Sequence, residues 1–324
     1  MKKPTLGKII YLLAICSFAL LFFSKAYKKK DIENPIPKPE KREIVIKLAD
    51  HLEKYYVFPE KGVKMANLLK KNLQEEKYDQ INSYDSLANE LTLQLRNTVN
   101  DKHLRIRVNN TNNAGIPTLS NVSNNDDFGI TSTKVLEGNV GYLAFNTFPR
   151  LNSSSEKAVA AIMSSLKDTE SIIIDLRENG GGDPSMVQLY CSYFFNDKPV
   201  HLNSLYFRPE NITRDFYTFK NIKGKRMPKK PLYILTSDFT FSGAEEFCYN
   251  LKNLKRAIII GEVTGGGAHP VNAYQLNDHL TAIIPIGRAI NPITNTNWEQ
   301  TGVKPDKICD SKDALKIALL MARN

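Results

Sequence analysis

The sequence lacks the signatures by which metal centres, nucleotide sites and disulfide-rich folds are recognised. It has four cysteines in 324 residues, and the three beyond the N-terminal segment, Cys191, Cys248 and Cys309, cannot all pair within one chain and match no metal-site spacing. It contains no H-E-x-x-H pattern, so a metalloenzyme is disfavoured. The first glycine cluster is ENGGGD at residues 178–183, and the second is Gly265–Gly267. Neither ends in Gly-Lys-Ser/Thr or completes G-x-G-x-x-G. No cofactor and no metal are therefore expected.

Acidic residues are absent from the first 30 positions, which carry seven lysines. The formal charge of the whole chain is +10, and removing these seven lysines leaves about +3 for the remainder. The basic character therefore belongs to a terminal targeting segment and not to a broad surface that would bind nucleic acid. Nucleic acid is not expected as a partner.

The apolar run at residues 9–23 has 15 residues, which is short for a membrane-spanning helix and typical of the apolar region of a signal peptide. Residues 24–26 could form a cleavage site, whereas the lysines on both sides also suit an uncleaved N-terminal membrane anchor. Cys16 lacks the small preceding residue of a lipoprotein signal. Both alternatives predict that residues 1–30 direct export, to a periplasmic location or to an extracytoplasmic one at a membrane.

The remaining chain divides into three parts by composition and periodicity. Three prolines and alternating charges favour an extended linker at residues 31–41. Apolar residues then recur at four-residue steps, which predicts a helical subdomain over residues 42–103. Strand and helix patterns alternate afterwards, so we predict that residues 104–324 form an α/β domain with a largely parallel sheet. Sites in such sheets collect at the carboxyl ends of the strands.

Short apolar runs and helix-start signals locate the elements of this α/β domain. A capping box of Ser153 and Glu156 predicts one helix, and Pro184 is the first residue of another. Residues 201–230 interrupt the alternation with aromatic and basic residues, and we predict a lid or a wall of the substrate site there. The predicted strands lie at residues 104–108, 141–148, 171–176, 232–236, 257–261 and 280–286.

Ser242 follows the predicted strand at 232–236 and immediately precedes a predicted helix. Its hydroxyl either caps that helix or is a nucleophile beside helix amides that stabilise a negative oxygen. A nucleophilic serine needs a base that takes its proton. His103, where the helical subdomain meets the first strand, and His269, behind the second glycine cluster, are alternative bases between which the residues alone do not decide.

The acid that orients such a base is expected to lie buried beside it. Glu299 stands in a turn-rich segment next to the only tryptophan. Glu245 and Glu246 are alternatives, although acids in the first turn of a helix also complement the helix dipole. The glycines of the ENGGGD segment either allow tight turns or let an amide of Gly180 or Gly181 donate to an oxyanion.

Six ordered segments of this chain resemble peptidase family S41. The family comprises the C-terminal processing or tail-specific proteases, the tricorn protease core and the repeats of interphotoreceptor retinoid-binding protein. The resemblance covers roughly residues 42–310 and implies a ClpP/crotonase-like α/β catalytic domain preceded by a small helical domain. It also implies a peptide or protein substrate. The segments are VNDKHL, GNVGYLAFNTF, IIIDLRENGGG, LTSDFTFSGAEEF, RAIIIGEVTGGGAHP and NWEQTGVKPD.

The resemblance also implies roles for individual residues. The nucleophile of the family falls on Ser242, whereas the lysine base of one branch falls on Gly267, so a Ser-Lys dyad is absent. The tricorn-like branch uses histidine and glutamate instead, and its positions fall on His103 and Glu299. The expected activity is that of a serine endopeptidase that forms an acyl-enzyme with a Ser-His-Glu triad.

The amides of Gly243 and Gly181 are implied as the oxyanion donors. About 30 residues separate Val108 from Gly141, too few for the PDZ domain of many processing proteases, so recognition of substrate tails is not assumed. The alternative function is a non-catalytic binder of a lipophilic ligand or peptide. Retinoid-binding relatives are expected to share the fold, and the aromatic residues at 206–217 could line an apolar pocket.

Overall fold

The computed structural model describes residues 35–109 and 128–323. The predicted signal peptide or anchor at residues 1–30, residues 31–34 of the predicted linker, and residues 110–127, an Asn-rich stretch that the sequence predicts as an exposed loop, lie outside the described residues. Within the two described ranges, none of the helices combines the length and the apolar character that crossing a membrane requires.

The helical subdomain begins earlier than the sequence predicted. Pro37 is the N-cap of the first helix and Pro39 is its second residue, so two of the three prolines taken as linker residues belong to a helix start, where a fixed φ and a missing N–H are tolerated. Lys41 is 3 % exposed, and its ammonium donates to the carbonyls of Tyr78, Asp79 and Ile81. Residues 38–41 are therefore part of the folded subdomain. Its helices are α1 (Lys38–Tyr55), α2 (Pro59–Gln74) and α3 (Tyr84–Val99).

The helices share their core with a small antiparallel sheet. Its strands are β1 (Arg105–Val108), β9 (Val271–Gln275) and β10 (Leu280–Pro285), in the order β1-β10-β9. Leu48, Leu91 and Ala282 belong to one buried cluster, which joins the helices to this sheet. The prediction that β10 belongs to the main parallel sheet was wrong. All six residues of β10 are buried, and a strand buried on both faces shows the same apolar run in either sheet.

The main sheet has six strands in the order β12-β8-β7-β4-β3-β2, and all neighbours are parallel except β2 and β3. The largely parallel sheet predicted from the alternating pattern is thus observed. Ser242 and the loops considered below follow the carboxyl ends of its central strands. The strands are β2 (Ile130–Leu136), β3 (Val140–Phe145), β4 (Ser171–Asp175), β7 (Leu232–Thr236), β8 (Ile258–Gly261) and β12 (Lys307–Ile308).

Helices cover both faces of this sheet. Apolar side chains of α4 (Ser153–Ser165), α5 (Pro184–Ser192) and α6 (Gly243–Asn253) pack on one face, and α7 (Ser311–Ala322) packs on the other. The start of α5 at Pro184 is confirmed. The capping box of α4 differs from the prediction because Asn152, one residue earlier, accepts from the amides of Ser154 and Ser155. Asparagine and serine are comparable N-caps, and Asn152 is the residue whose backbone is extended, at φ −151° and ψ 177°.

The segment predicted as a lid or substrate wall contains a β-hairpin. Strands β5 (His201–Phe207) and β6 (Ile212–Tyr217) pair with each other, and β5 also pairs with β11 (Gly287–Ile290) to complete an antiparallel sheet. Leu202 and Leu205 of β5 belong to the core of the α/β domain. The role of this hairpin as a lid or wall stays a prediction.

Candidate active site

Ser242 occupies a strained turn between the loop after β7 and helix α6. Its backbone has φ +55° and ψ −120°, a conformation that costs a non-glycine residue about 1–3 kcal/mol and occurs preferentially at functional sites. Its amide donates to Glu245 Oε2 at 2.8 Å. Surrounding contacts hold the turn, because Phe241 N donates to Asn179 O and Thr240 Oγ1 donates to Leu176 O. The serine residue is half-buried.

His103 lies next to this hydroxyl. Its Nε2 is 3.1 Å from Ser242 Oγ, which is hydrogen-bonding distance. The imidazole is buried and packs against the ring of Phe241, with 4.6 Å between the ring centroids. Burial lowers the pKa of His103 to about 4, although the charge of Asp101 opposes this effect. The imidazole is therefore neutral at pH 7, the form that can accept a proton.

His269, the alternative base, has a different set of contacts. Its Nδ1 is 2.7 Å from Asp101 Oδ2 and 3.5 Å from Glu299 Oε2. The ring of Phe58 packs edge-on against the imidazole, at 5.6 Å between centroids. Across the described residues, no hydrogen bond joins His269 to Ser242. Of the two candidate histidines, the structure brings His103 to the serine.

Glu299 lies close to His269 and is not hydrogen-bonded to His103. Its Oε2 accepts from the amide of Ala268 at 2.7 Å. Glu299 Oε1 and His103 Nδ1 are both buried, and neither has a hydrogen-bond partner in the described part of the chain. Burial raises the pKa of Glu299 to about 7, against the opposing charge of His269. The third member of the predicted triad therefore stays a prediction.

Asp101 is a residue of this site that the sequence reasoning missed. The carboxylate is 1 % exposed; Oδ1 accepts from the amide of His103 at 3.0 Å, and Oδ2 accepts from Tyr56 OH at 3.0 Å and faces His269 Nδ1. Burial by itself would raise the pKa of Asp101, but the hydrogen bond and charge of His269 bring it below the ordinary value. An available signal was the Asp-x-His spacing, since an aspartate commonly bonds the amide two residues on.

The donor atoms of Asp101, His269 and Glu299 lie within 4.8 Å of one another, a spacing that a metal site also requires. Each oxygen of Asp101 already accepts a hydrogen bond, and His269 Nδ1 faces both carboxylates. Such contacts fit a protonated ring nitrogen between two carboxylates, whereas a metal ligand would need that nitrogen deprotonated. We interpret the three side chains as a hydrogen-bonded network.

The predicted oxyanion donors differ in their availability. Gly243 is the first residue of α6, and its amide makes no hydrogen bond within the described ranges. The amide of Gly181, in contrast, donates to Asn179 Oδ1 at 2.8 Å and is already engaged. The amide nitrogen of the next residue, Gly182, lies 3.0 Å from the position that a Cβ on Gly243 would occupy. The glycine cluster thus lies against the start of α6, but the amide direction could not be read from sequence.

Gly267, where one branch of the family has its lysine, has no space for a side chain. A Cβ there would lie 2.2 Å from Phe241 Cζ and 2.7 Å from His103 Cε1. The Gly267 amide donates to Glu245 Oε2, and Glu245 Oε1 accepts from the amide of Gly266. Glu245, considered as an alternative acid, therefore ties the serine turn to the second glycine cluster. Burial raises its pKa despite these hydrogen bonds.

Two family models match consecutive parts of the chain. The model of peptidase family S41 matches residues 139–308, and that of the N-terminal domain of peptidase S41 in eukaryotic IRBP matches residues 38–137. The chloroplastic carboxyl-terminal-processing peptidase 2 of Arabidopsis thaliana is 28 % identical over 170 residues, which are 52 % of this chain. The chain spans only 31 % of the length of that plant protein.

Two solved structures share the fold at low sequence identity. A lipoprotein from Streptococcus agalactiae is 16 % identical with a TM-score of 0.62, and the match covers 91 % of this chain and all of that one. A photosystem II D1 C-terminal processing protease is 15 % identical with a TM-score of 0.54, over 84 % of this chain and 94 % of that one. The predicted fold class, an α/β catalytic domain behind a small helical domain, is confirmed. The chain belongs to peptidase family S41.

Proposed function

We propose that this protein is a serine endopeptidase that hydrolyses peptide bonds through an acyl-enzyme. The observation that carries the proposal is the 3.1 Å contact between His103 Nε2 and the hydroxyl of Ser242. Membership of family S41 supports a peptide or protein substrate. The strained turn at Ser242, between a central strand and a helix N-terminus, resembles the strand-to-helix turn that exposes the nucleophilic serine of α/β-hydrolases.

The reaction starts with the neutral imidazole of His103. It takes the proton of Ser242 as the hydroxyl oxygen attacks the carbonyl carbon, and it later returns that proton to the leaving amine. The Gly243 amide at the start of α6 stabilises the oxyanion, and we propose the Gly182 amide as its partner because the Gly181 amide is engaged elsewhere. Loss of one such donor costs about 10²- to 10³-fold in rate.

Glu299 is the proposed acid of the triad. It lies in one buried group with His269 and Asp101, and its Oε1 and the Nδ1 of His103 both lack a protein partner within the described residues. Catalytic hydrogen bonds are often long in the free enzyme and tighten when substrate binds. The proposed triad thus has Ser242, His103 and Glu299 as nucleophile, base and orienting acid.

The proposed nucleophile is tested with a fluorophosphonate probe and a library of fluorogenic peptides. We expect stoichiometric labelling of the wild-type protein at Ser242, located by mass spectrometry, and neither labelling nor turnover in Ser242→Ala. The matched control is Ser164→Ala, an exposed serine on α4, which should behave as the wild type. Cleavage by Ser242→Ala at the parental rate would show that the nucleophile is misassigned. An unreactive Ser242 with a copurifying lipid would favour the alternative of a non-catalytic binder.

We also propose that residues 1–30 direct export, either as a cleaved signal peptide or as a membrane anchor. The support is the lysine-flanked apolar run of 15 residues. Mass spectrometry of the intact protein from membrane and soluble extracytoplasmic fractions reports its true N-terminus. Full-length protein recovered from the cytoplasm alone would contradict export.

A further inference from the structure

We propose that Asp101 is the positioning residue of the base: it fixes the backbone of His103, keeps a negative charge beside the imidazole, and is itself held by Tyr56 and His269. The inference rests on the proposed function, because it assigns a role in preparing His103 for proton transfer. Asp101 acts through His103 and does not touch the substrate.

The first support is the local turn. Asp101 Oδ1 accepts from the amide of His103 at 3.0 Å, and the amide of Leu104 donates to the carbonyl of Asp101 at 3.3 Å. These two bonds close a turn directly after Asn100, the left-handed C-cap of α3. The Asp101 side chain therefore sets the direction in which the His103 side chain projects from the backbone. This matters because a shift of about 1 Å in a catalytic group can lower the rate about 10²-fold.

The second support is the way in which distant segments meet at this carboxylate. Tyr56 is the C-cap of α1, and its hydroxyl donates to Asp101 Oδ2 at 3.0 Å. His269 Nδ1 is 2.7 Å from the same oxygen and comes from the segment behind the second glycine cluster. Asp101 and the His269 side chain are 1 % and 4 % exposed. The helical subdomain and the α/β domain are thus both anchored at the residue that orients the base.

The third support is the distribution of charge around the imidazole. Three basic groups face His103 and disfavour its charged form: His269, Arg105 of β1 and Arg96 of α3. Asp101 is the acidic group that favours the charged form, which develops as Ser242 gives up its proton. His269 keeps Asp101 ionised, whereas burial makes Glu299 hard to ionise. Two neighbouring carboxyl groups whose pKa values are shifted in opposite directions can take different roles.

Asp101→Asn and Asp101→Ser are the variants that test this role. Both keep an oxygen that can accept from the His103 amide, and both remove the charge. Loss of a nearby negative charge lowers the pKa of His103. The acidic limb of the pH profile for Ser242 labelling should therefore move to lower pH by about one unit. The plateau rate should fall at least about 10-fold, whereas a merely structural role would lower the active fraction without moving the limb.

Two measurements keep the test independent of turnover. The pKa of His103 is followed by NMR in the Ser242→Ala background, with and without Asp101→Asn, and should be lower with it. The Asp101 carboxyl is followed in the otherwise unaltered protein, where it should stay ionised between pH 5 and 9. A protonated Asp101 at neutral pH would overturn the proposal even if both variants failed to fold.

A further comparison separates Asp101 from Glu299. If Glu299→Gln moves the acidic limb and neither Asp101 variant does, Glu299 alone orients the base and the proposal is wrong. Absence of all peptide cleavage and labelling by the wild type would instead refute the proposed function, while the NMR result for His103 would still report on Asp101. His269→Asn, whose amide can still donate to Asp101, should preserve more of the labelling rate than His269→Leu.

Discussion

Two buried histidines lie in the same region of this molecule and differ in what their rings contact. His103 has Nε2 on the hydroxyl of Ser242, at 3.1 Å, and its ring packs against Phe241. His269 has Nδ1 on Asp101, at 2.7 Å, and its ring packs edge-on against Phe58. Burial is nearly equal, at 7 % and 5 % exposed, so burial does not separate a base from a supporting residue. The hydrogen-bond partner of the ring nitrogen distinguishes the two histidines.

The second glycine cluster explains how both rings fit side by side. Gly267 packs closely against His103 and Phe241 because it has no Cβ, and two residues further on the Nδ1 of His269 contacts Asp101 and Glu299. In the proposed mechanism this region has a reacting side, formed by Ser242 and His103, and a supporting side, formed by His269 with its two acids. Substitutions on the reacting side should abolish peptide hydrolysis, and substitutions on the supporting side should change its rate by a smaller factor.

The largest expected effect comes from exchanging the two histidines for neutral residues. His103→Ala should lower the rate of peptide hydrolysis by about 10⁴- to 10⁶-fold, because the serine loses its base. His269→Asn should lower it by less than about 10-fold, since the asparagine amide can still donate to Asp101. Both rates are measured with the best fluorogenic peptide found for the wild type. An equal loss in the two variants would erase the distinction between the reacting and supporting sides.

A methyl group at Gly267 should disturb the reacting side from outside the triad. Gly267→Ala introduces a Cβ only 2.7 Å from His103 Cε1, so the imidazole or Phe241 must move. We expect a loss of about 10- to 100-fold in rate and a decrease of about 1–3 kcal/mol in the free energy of unfolding. The control is Gly180→Ala, whose Cβ meets nothing within 4 Å and should change stability by less than about 0.5 kcal/mol. Equal stability of the two variants would mean that the packing around Gly267 is looser than the structure indicates.

On the supporting side, Glu299 should make the free energy of unfolding depend on pH. The pKa of Glu299 in the folded protein, about 7, lies above its ordinary value of 4.5. The stability that the neutral carboxyl contributes is therefore fully present below pH 4.5 and is lost as the pH rises through 7. Glu299→Gln, which resembles the neutral acid, should therefore gain stability relative to the wild type between pH 4.5 and 8. The gain should be on the order of 1 to 3 kcal/mol in denaturant titrations. Exposed Glu43→Gln should show no such trend, and a flat difference for Glu299→Gln would argue for an ionised Glu299 throughout.

Patterns along the chain predicted the elements well where one face or one cap decides them. The four-residue apolar steps, the run at 232–236 and the proline at 184 each correspond to an observed element. Prediction was wrong where two arrangements share one pattern. The prolines before Lys38 suit a linker or a helix start, and a fully buried strand such as β10 suits either sheet.

The site was harder to predict because it depends on the directions in which side chains and backbone amides point. Ser242 and His103 were both candidates, but the residues alone left His269 equal to His103, and the family resemblance was needed to choose. Gly181 was predicted as an oxyanion donor from the glycine cluster, but its amide donates to Asn179 Oδ1. Asp101 was overlooked because an acid between Asn100 and Lys102 looks like a solvated turn. Only the fold brings Tyr56 and His269 to it.

The smallest expected effect concerns the backbone of the nucleophile. Ser242→Gly and Ser242→Ala both remove the hydroxyl and should be equally inactive, but glycine adopts φ +55° without strain, whereas alanine does not. Ser242→Gly should therefore be more stable than Ser242→Ala by about 0.5–1 kcal/mol in chemical denaturation, after the entropy cost of glycine. At Ser164, in the last turn of α4, the order should reverse, because glycine is less favourable than alanine in a helix, by up to about 1 kcal/mol. The same order at both positions would mean that the turn at Ser242 is relaxed, and that the hydroxyl reaches His103 without stored strain.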